Sequence, residues 1–177
     1  MNECINVILK RGSVRNYTEQ TVYAEQLELL ARAAMAAPSA ANKQPWEFII
    51  ITDHEKLNEL AEKLPYTKMT KKASAAMVVC GNINRALADW EQDFWIQDCS
   101  AATQNILLAA EDIGLGAVWT GVYPSEERVK IVSEILALPK HLIPLNLIPV
   151  GYPVTPLKYL EKFDPTRIHW NSWEKEK

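Results

Sequence analysis

The sequence predicts an α+β sandwich, on three observations. Helical patterns outweigh strand-like runs, the two do not alternate as strictly as a doubly wound sheet requires, and the strand-like runs are apolar enough to be buried. With 177 residues, 48% of them apolar and 23% charged, the chain suits a single domain spanning 1–177 around one sizeable core.

The elements follow in order. Residues 2–10 form a short helix with Ile5, Ile8 and Leu9 on one face. A polar loop at 11–21 leads to a helix at 24–37, where Leu27, Leu30, Ala34 and Ala37 recur at helical spacing. Residues 47–52 read as a buried strand, and Asp53 is placed to cap a helix running through Leu64. A second apolar strand occupies 75–81. The segment 93–113 puts Ile96, Cys99, Thr103, Ile106, Ala110 and Ile113 on one stripe, the spacing of a core helix. Gly114, Leu115 and Gly116 end it, and Ala117, Val118 and Trp119 form a short strand. Ser125 caps a further helix whose first turn carries Glu126 and Glu127, favoured beside the positive helix end. The last clear strand is 145–150.

Residues 152–177 form an arm with Pro153, Pro156 and Pro165 and no helical period. It nevertheless holds Tyr152, Tyr159, Phe163, Trp170 and Trp173, more aromatic surface than a solvated tail carries, so it packs on its own domain or on a partner subunit.

Composition excludes several classes. A net charge of −3 gives no basic face for nucleic acid, and no apolar run approaches the ~20 residues of a membrane span. The first residues carry no secretory pattern, and Cys4, Cys80 and Cys99 are few and widely spaced, which points to a reduced, cytoplasmic protein. His54, His141 and His169 stand apart from one another and from the cysteines, so no metal site is expected. There is no GxSxG elbow and no phosphate loop of the GxxxxGK[ST] kind. Gly114 and Gly116 follow a helix and precede a strand, the reverse of a dinucleotide fingerprint.

Two segments carry the chemistry. The connection Pro38, Ser39, Ala40, Ala41, Asn42, Lys43, Gln44, Pro45, Trp46 is long for a compact domain and stiffened by a proline near each end. Its backbone N–H groups, hydroxyl and amides suit a flat polar ligand; the plainer alternative is a packed connection with Trp46 in the core. Arg11, Gly12, Ser13, Val14 and Arg15 place two guanidinium groups around a hydroxyl, which suits a phosphate, although such clusters also occur as solvated surface.

Five blocks then occur in order: RGSVRNY (11–17), APSAANKQPWEF (37–48), DCSAATQNILLAAEDIGLGAVWTGVYP (98–124), PVGYP (149–153) and KFDPTRIHWNSW (162–173). Together they resemble the short-chain branch of the FMN-dependent nitroreductase family over nearly the whole chain. The resemblance implies an α-β-α sandwich with a mixed, mainly antiparallel central sheet, in an intertwined homodimer with FMN at the subunit interface. It implies that Arg11 and Ser13 hold the FMN phosphate, with Gly12 offering backbone at most and Lys162 a further cation. Arg15 would lie near N1 and the C2 carbonyl of the ring, and Lys68 near the pyrimidine edge. Pro38, Ser39, Ala40 and Asn42 would come from the other subunit, Trp119, Thr120 and Gly121 would line the ring near N5, and the 152–177 arm would embrace the partner. The chain departs from the family pattern at Gly12, where a larger side chain is common, at Ser74, where proline is frequent, and in having a single Lys162.

The activity so implied is NAD(P)H-dependent reduction of nitroaromatic or related acceptors, by hydride transfer through flavin N5 with ping-pong kinetics. The alternatives are a non-catalytic FMN carrier or sensor, or a reductase of the same fold with another acceptor, as in dehalogenation. Trp90 and Phe94 are candidates for a lid, or else for the start of an ordinary amphipathic helix.

Overall fold

The computed structural model describes residues 2–155 and 160–173, so Tyr159 of the arm lies outside the described residues. The helices are α1 (Glu3–Lys10), α2 (Ala24–Met35), α3 (His54–Lys63), α4 (Phe94–Asp112) and α5 (Glu126–Ile135). The strands are β1 (Trp46–Ile51), β2 (Ala75–Asn82), β3 (Gly116–Ala117), β4 (Thr120–Gly121) and β5 (Leu142–Gly151). The sheet runs β1-β2-β5-β3 with β4 also on β5, and every pairing described is antiparallel.

The period of two along β2 builds the sandwich. Ala75, Met77 and Val79 face a core with α2 and α4, including Leu27, Leu30, Cys99 and Ile106. Ala76, Val78 and Cys80 face the opposite core with Leu57 and Leu60 of α3 and Val132 of α5. All of β2 is buried, as a central strand covered on both sides must be. The helix starts follow the caps expected: Asp53 accepts the Glu55 N–H at 2.8 Å and Ser125 accepts that of Arg128 at 3.4 Å.

Three differences from the sequence reading have physical reasons. β1 is an edge strand, so it is half-buried rather than buried, and Ile50 is 40% exposed. β5 begins at Leu142, three residues before the expected start, because a register shift opposite Val79 and Cys80 accommodates Pro144. The strand expected at 117–119 is split into β3 and β4. Register is the same on both sides of the gap, which sets Val118 opposite Pro149, and proline has no N–H to continue the ladder. The Pro149 carbonyl instead lies 3.2 Å from the Tyr17 hydroxyl, as the longer of two acceptors sharing that one proton.

Two surfaces are left uncovered. α1 buries none of its residues, and Ile5, Ile8 and Leu9 are each more than 40% exposed. The arm starts with a Tyr17–Pro153 bridge and a Val154 N–H to Asn16 bond of 3.1 Å, but further on Phe163, Trp170 and Trp173 are exposed.

Candidate functional site

The 11–17 segment lies flat across the end of the sheet because two glycines let it. Gly116 of β3 and Gly151 of β5 are register partners. A Cβ on Gly116 would stand 2.6–2.7 Å from three Val14 side-chain carbons, and one on Gly151 would stand 2.9 Å from the Tyr17 ring. Val14 thus sits over one glycine and Tyr17 over the other. The Val14 N–H donates to the Ala117 carbonyl at 3.1 Å, and the Tyr17 hydroxyl donates to the Val14 carbonyl at 2.7 Å. Both bonds fix the backbone between Ser13 and Arg15. Burial pushes the Tyr17 phenol far above its ordinary value, with the nearby Arg15 charge working the other way.

Pinned this way, exposed Ser13 and Arg15 flank buried Val14 beside the 117–121 segment. Trp119 is exposed, while Thr120 is buried and donates its hydroxyl to the Leu147 carbonyl at 2.6 Å. Gly121 is exposed, and a Cβ there would meet nothing within 4 Å, so its backbone faces open space. The Arg128 guanidinium donates to the Gly121 carbonyl at 3.1 Å. Lys68 opens the turn Lys68–Lys72, whose Met69 packs on Val14, Tyr17 and Ala73, and it lines a groove with Ser125 and Arg128. Among the described residues Arg11, Arg15 and Lys68 take part in no ion pair. Arg11 lies nearest to a carboxylate: burial holds Glu111 above its ordinary range, with Arg11 and then Lys10 acting in the opposite direction.

Pro38, Ser39, Ala40 and Asn42 are not part of this group. Their loop folds into a short turn (Ala40–Asn42) with Ala41, Asn42 and Gln44 at positive φ. It is tied to the first part of α4 by a 2.9 Å bond from the Ala40 N–H to Asp98. Asp98 and Glu111, the neighbour of Arg11, are separated by about 20 Å along the helix at ~1.5 Å per residue. Within the chain the loop and the Arg11 segment therefore stand near opposite ends of α4. Trp46 does enter the core, as the plainer reading of this connection has it.

Lys162 is exposed on the arm, and its side chain makes no hydrogen bond or ion pair among the described residues, so it is not brought to the cluster. Trp90 stands on a short turn (Asp89–Glu91) ahead of α4 and is 82% exposed, whereas Phe94 is half-buried at the helix start. A cavity of about 550 Å³ is walled by Tyr17, His54, Lys71, Lys72 and Ser74, and none of the predicted site residues lines it.

The family model described as the Nitroreductase family matches residues 8–152. The chain belongs to the nitroreductase family. An Archaeoglobus fulgidus protein, provisionally named NADH dehydrogenase/NAD(P)H nitroreductase, is 43% identical over 176 residues, covering 98% of this chain and all of that one. A Parabacteroides distasonis structure with the same provisional name superposes with a TM-score of 0.92 at 47% identity, covering 98% of this chain and 100% of that chain. A Bacillus subtilis protein named FMN reductase (NADPH) is 30% identical over 168 residues, covering 86% of this chain and 67% of its own length.

The residues present fit the cofactor expected of a nitroreductase. Three cations without ion-pair partners suit a phosphate and an electron-rich ring edge, and the open backbone at Gly121 leaves room for a flat ring. Where this nitroreductase departs from its family at Ser74, the structure supplies a use: the hydroxyl accepts the Val22 N–H at 2.8 Å. Sequence reasoning assigned no role to Asp98, Tyr17 or Arg128. The available signals were an aspartate beside the buried stripe of α4, an aromatic in a polar loop, and an arginine in the first turn of α5.

Proposed function

We propose that this chain passes electrons from NADH or NADPH through FMN to nitroaromatic or related acceptors, with donor and acceptor using one site in turn. An FMN-dependent NAD(P)H oxidoreductase is the function that family membership and the names of its relatives support. The observation that supports the reading is that Arg11, Arg15 and Lys68, which take part in no ion pair among the described residues, stand on segments packed around Val14 beside Ala117.

The division of labour follows from chemistry. FMN supplies hydride acceptance from the nicotinamide and delivery of two electrons to the acceptor. Arg11 and Ser13 hold the phosphate by charge-assisted hydrogen bonds. Arg15 and Lys68 place positive charge at the pyrimidine edge, where it favours the reduced, electron-rich ring. Thr120 and Arg128 hold the Gly121 backbone from below, which leaves its outer side for stacking. The exposed Trp90 would serve as a lid residue for an aromatic acceptor in this reading.

A second copy of the chain completes the site in this reading. One protomer offers the cationic wall, while the 38–46 loop stands about 20 Å away along α4. An eight-residue helix that buries none of its residues is not stable by propensity alone, so α1 needs a cover. So does the adjoining groove of about 490 Å³ lined by Val7, Ile8, Ala36 and Leu108. The aromatic arm then lies on the partner subunit, and Lys162 reaches the phosphate from there. Three free thiols accord with a reducing, cytoplasmic setting.

Purified protein is expected to be yellow or to become so with FMN, to bleach with NADH or NADPH, and to recover colour with a nitro compound. A protein that stays colourless when FMN is added contradicts the reading. Bleaching without reoxidation by any nitro compound removes that acceptor class, and initial-rate lines that intersect remove the one-site alternation.

A further inference from the structure

The 38–46 loop is held in an uphill shape, and one buried carboxylate holds it. Ala41, Asn42 and Gln44 have φ values of 46°, 53° and 49°, in the left-handed region that side chains disfavour. Most of the loop's own hydrogen bonds are internal: the Gln44 N–H to the Ser39 hydroxyl at 3.0 Å, the Gln44 side-chain amide to Asn42 at 3.1 Å, and the Lys43 N–H to the Ala40 carbonyl at 3.0 Å. Two bonds leave it. The Pro45 carbonyl accepts the Asn82 N–H near the end of the loop, and the Asp98 carboxylate accepts the Ala40 N–H at its tip.

Asp98 is an expensive way to anchor a loop. It is only 6% exposed, on the α4 face that also buries Trp95, Cys99 and Ala102, and it takes part in no ion pair among the described residues. Burial raises its pKa, and the Ala40 N–H works in the opposite direction. A buried carboxylate with one backbone donor contributes less to stability than an apolar residue of the same volume. Its use is better sought in the shape it imposes, since the bond to Ala40 fixes the residue between Ser39 and the left-handed pair.

We propose that Asp98 is a positioning residue for flavin binding in trans: it clamps the 39–42 turn of its own subunit so that the turn fits the FMN held by the other subunit's Arg11 cluster. The proposal rests on the interfacial reading of the site given above. The separation of about 20 Å along α4 between Asp98 and Glu111, the neighbour of Arg11, favours the trans action over a single chain supplying both walls.

The test compares FMN dissociation constants of full-length variants. Asp98→Asn keeps an acceptor oxygen for the Ala40 N–H, so it binds FMN close to wild type. Asp98→Leu fills the space without an acceptor and weakens binding about tenfold or more, the scale of a lost hydrogen bond to a charged group. Rescue by asparagine and not by leucine separates positioning from packing, which leucine satisfies. Leu and Asn variants that both bind like wild type overturn the proposal, and so does an Asn variant as weak as Leu at unchanged melting temperature. The trans claim is tested with mixed dimers of Asp98→Leu and Arg11→Ala chains carrying different tags. One site then carries both lesions and the other carries none, so half of the sites regain wild-type affinity; a mixed dimer without tight sites overturns the trans action. Failure of the wild-type protein to bind FMN or to dimerise would strike the underlying reading instead, which keeps the two failures apart.

Discussion

Replacing Gly116 by alanine tests whether the 11–15 segment is the phosphate wall. The added Cβ would stand 2.6 Å from Val14 Cγ1, 2.7 Å from its Cβ and 2.7 Å from its Cγ2. Non-bonded carbons are comfortable at about 3.5–4.0 Å, so Val14 must retreat by roughly 1 Å. Rotation about χ1 gives no escape, since the Val14 Cβ is itself too close. The retreat pulls the Val14 N–H away from the Ala117 carbonyl, now at 3.1 Å, beyond the range of a hydrogen bond. Overpacking of this kind costs about 1–3 kcal/mol, and the lost bond adds about 0.5–1.5 kcal/mol. Ser13 and Arg15 flank Val14 and move with it. FMN affinity is expected to fall by about tenfold or more, equivalent to at least ~1.4 kcal/mol of misplaced contact. Quenching of FMN fluorescence on titration measures the affinity, and urea unfolding of the apoprotein measures the stability. Lower stability with an unchanged FMN dissociation constant would place the phosphate somewhere other than beside Val14.

Three other outcomes follow from the same geometry. Gly121→Ala adds a Cβ that meets nothing in the protein, so it leaves apoprotein stability unchanged or raises it by about 0.5–1 kcal/mol; FMN affinity drops nevertheless, and equal affinity would show that no ring lies on Gly121. Arg11→Ala weakens FMN binding by roughly 1.5–3 kcal/mol, the scale of a charge-assisted hydrogen bond, and an unchanged dissociation constant would remove Arg11 from the site. Burial pushes the Cys80 thiol up to about 12 and raises that of Cys99 as well, so neither forms thiolate near neutral pH. A thiol-specific reagent therefore modifies at most the exposed Cys4 in the native protein and all three cysteines after denaturation; fast reaction of two or more in the native state would contradict the buried assignments.

The features legible in the sequence were those set by local pattern. The stripe of α4, the caps Asp53 and Ser125, and the apolar run of β2 each follow from spacing or from one side chain. Strand ends were read less well because prolines act through their neighbours: Pro144 is absorbed by a register shift in β5, and Pro149 interrupts pairing on the strand opposite. The proposed cationic side of the site stands out in the sequence as Arg11, Ser13 and Arg15, since charge and hydroxyl announce themselves. What holds it in place was not, because the glycine pair 116 and 151 becomes meaningful only when β3 meets β5. Asp98 was hidden for a similar reason: its partner is a backbone N–H in a loop distant in sequence, and no residue type signals that.

This nitroreductase is expected to move electrons from a nicotinamide through FMN. The most direct measurement is an anaerobic titration of the FMN-loaded protein with NADH and, separately, with NADPH, following the visible absorbance of the flavin. Stoichiometric bleaching by at least one of them is expected, with the colour restored by a nitro compound. Flavin that stays oxidised in the presence of both would contradict it.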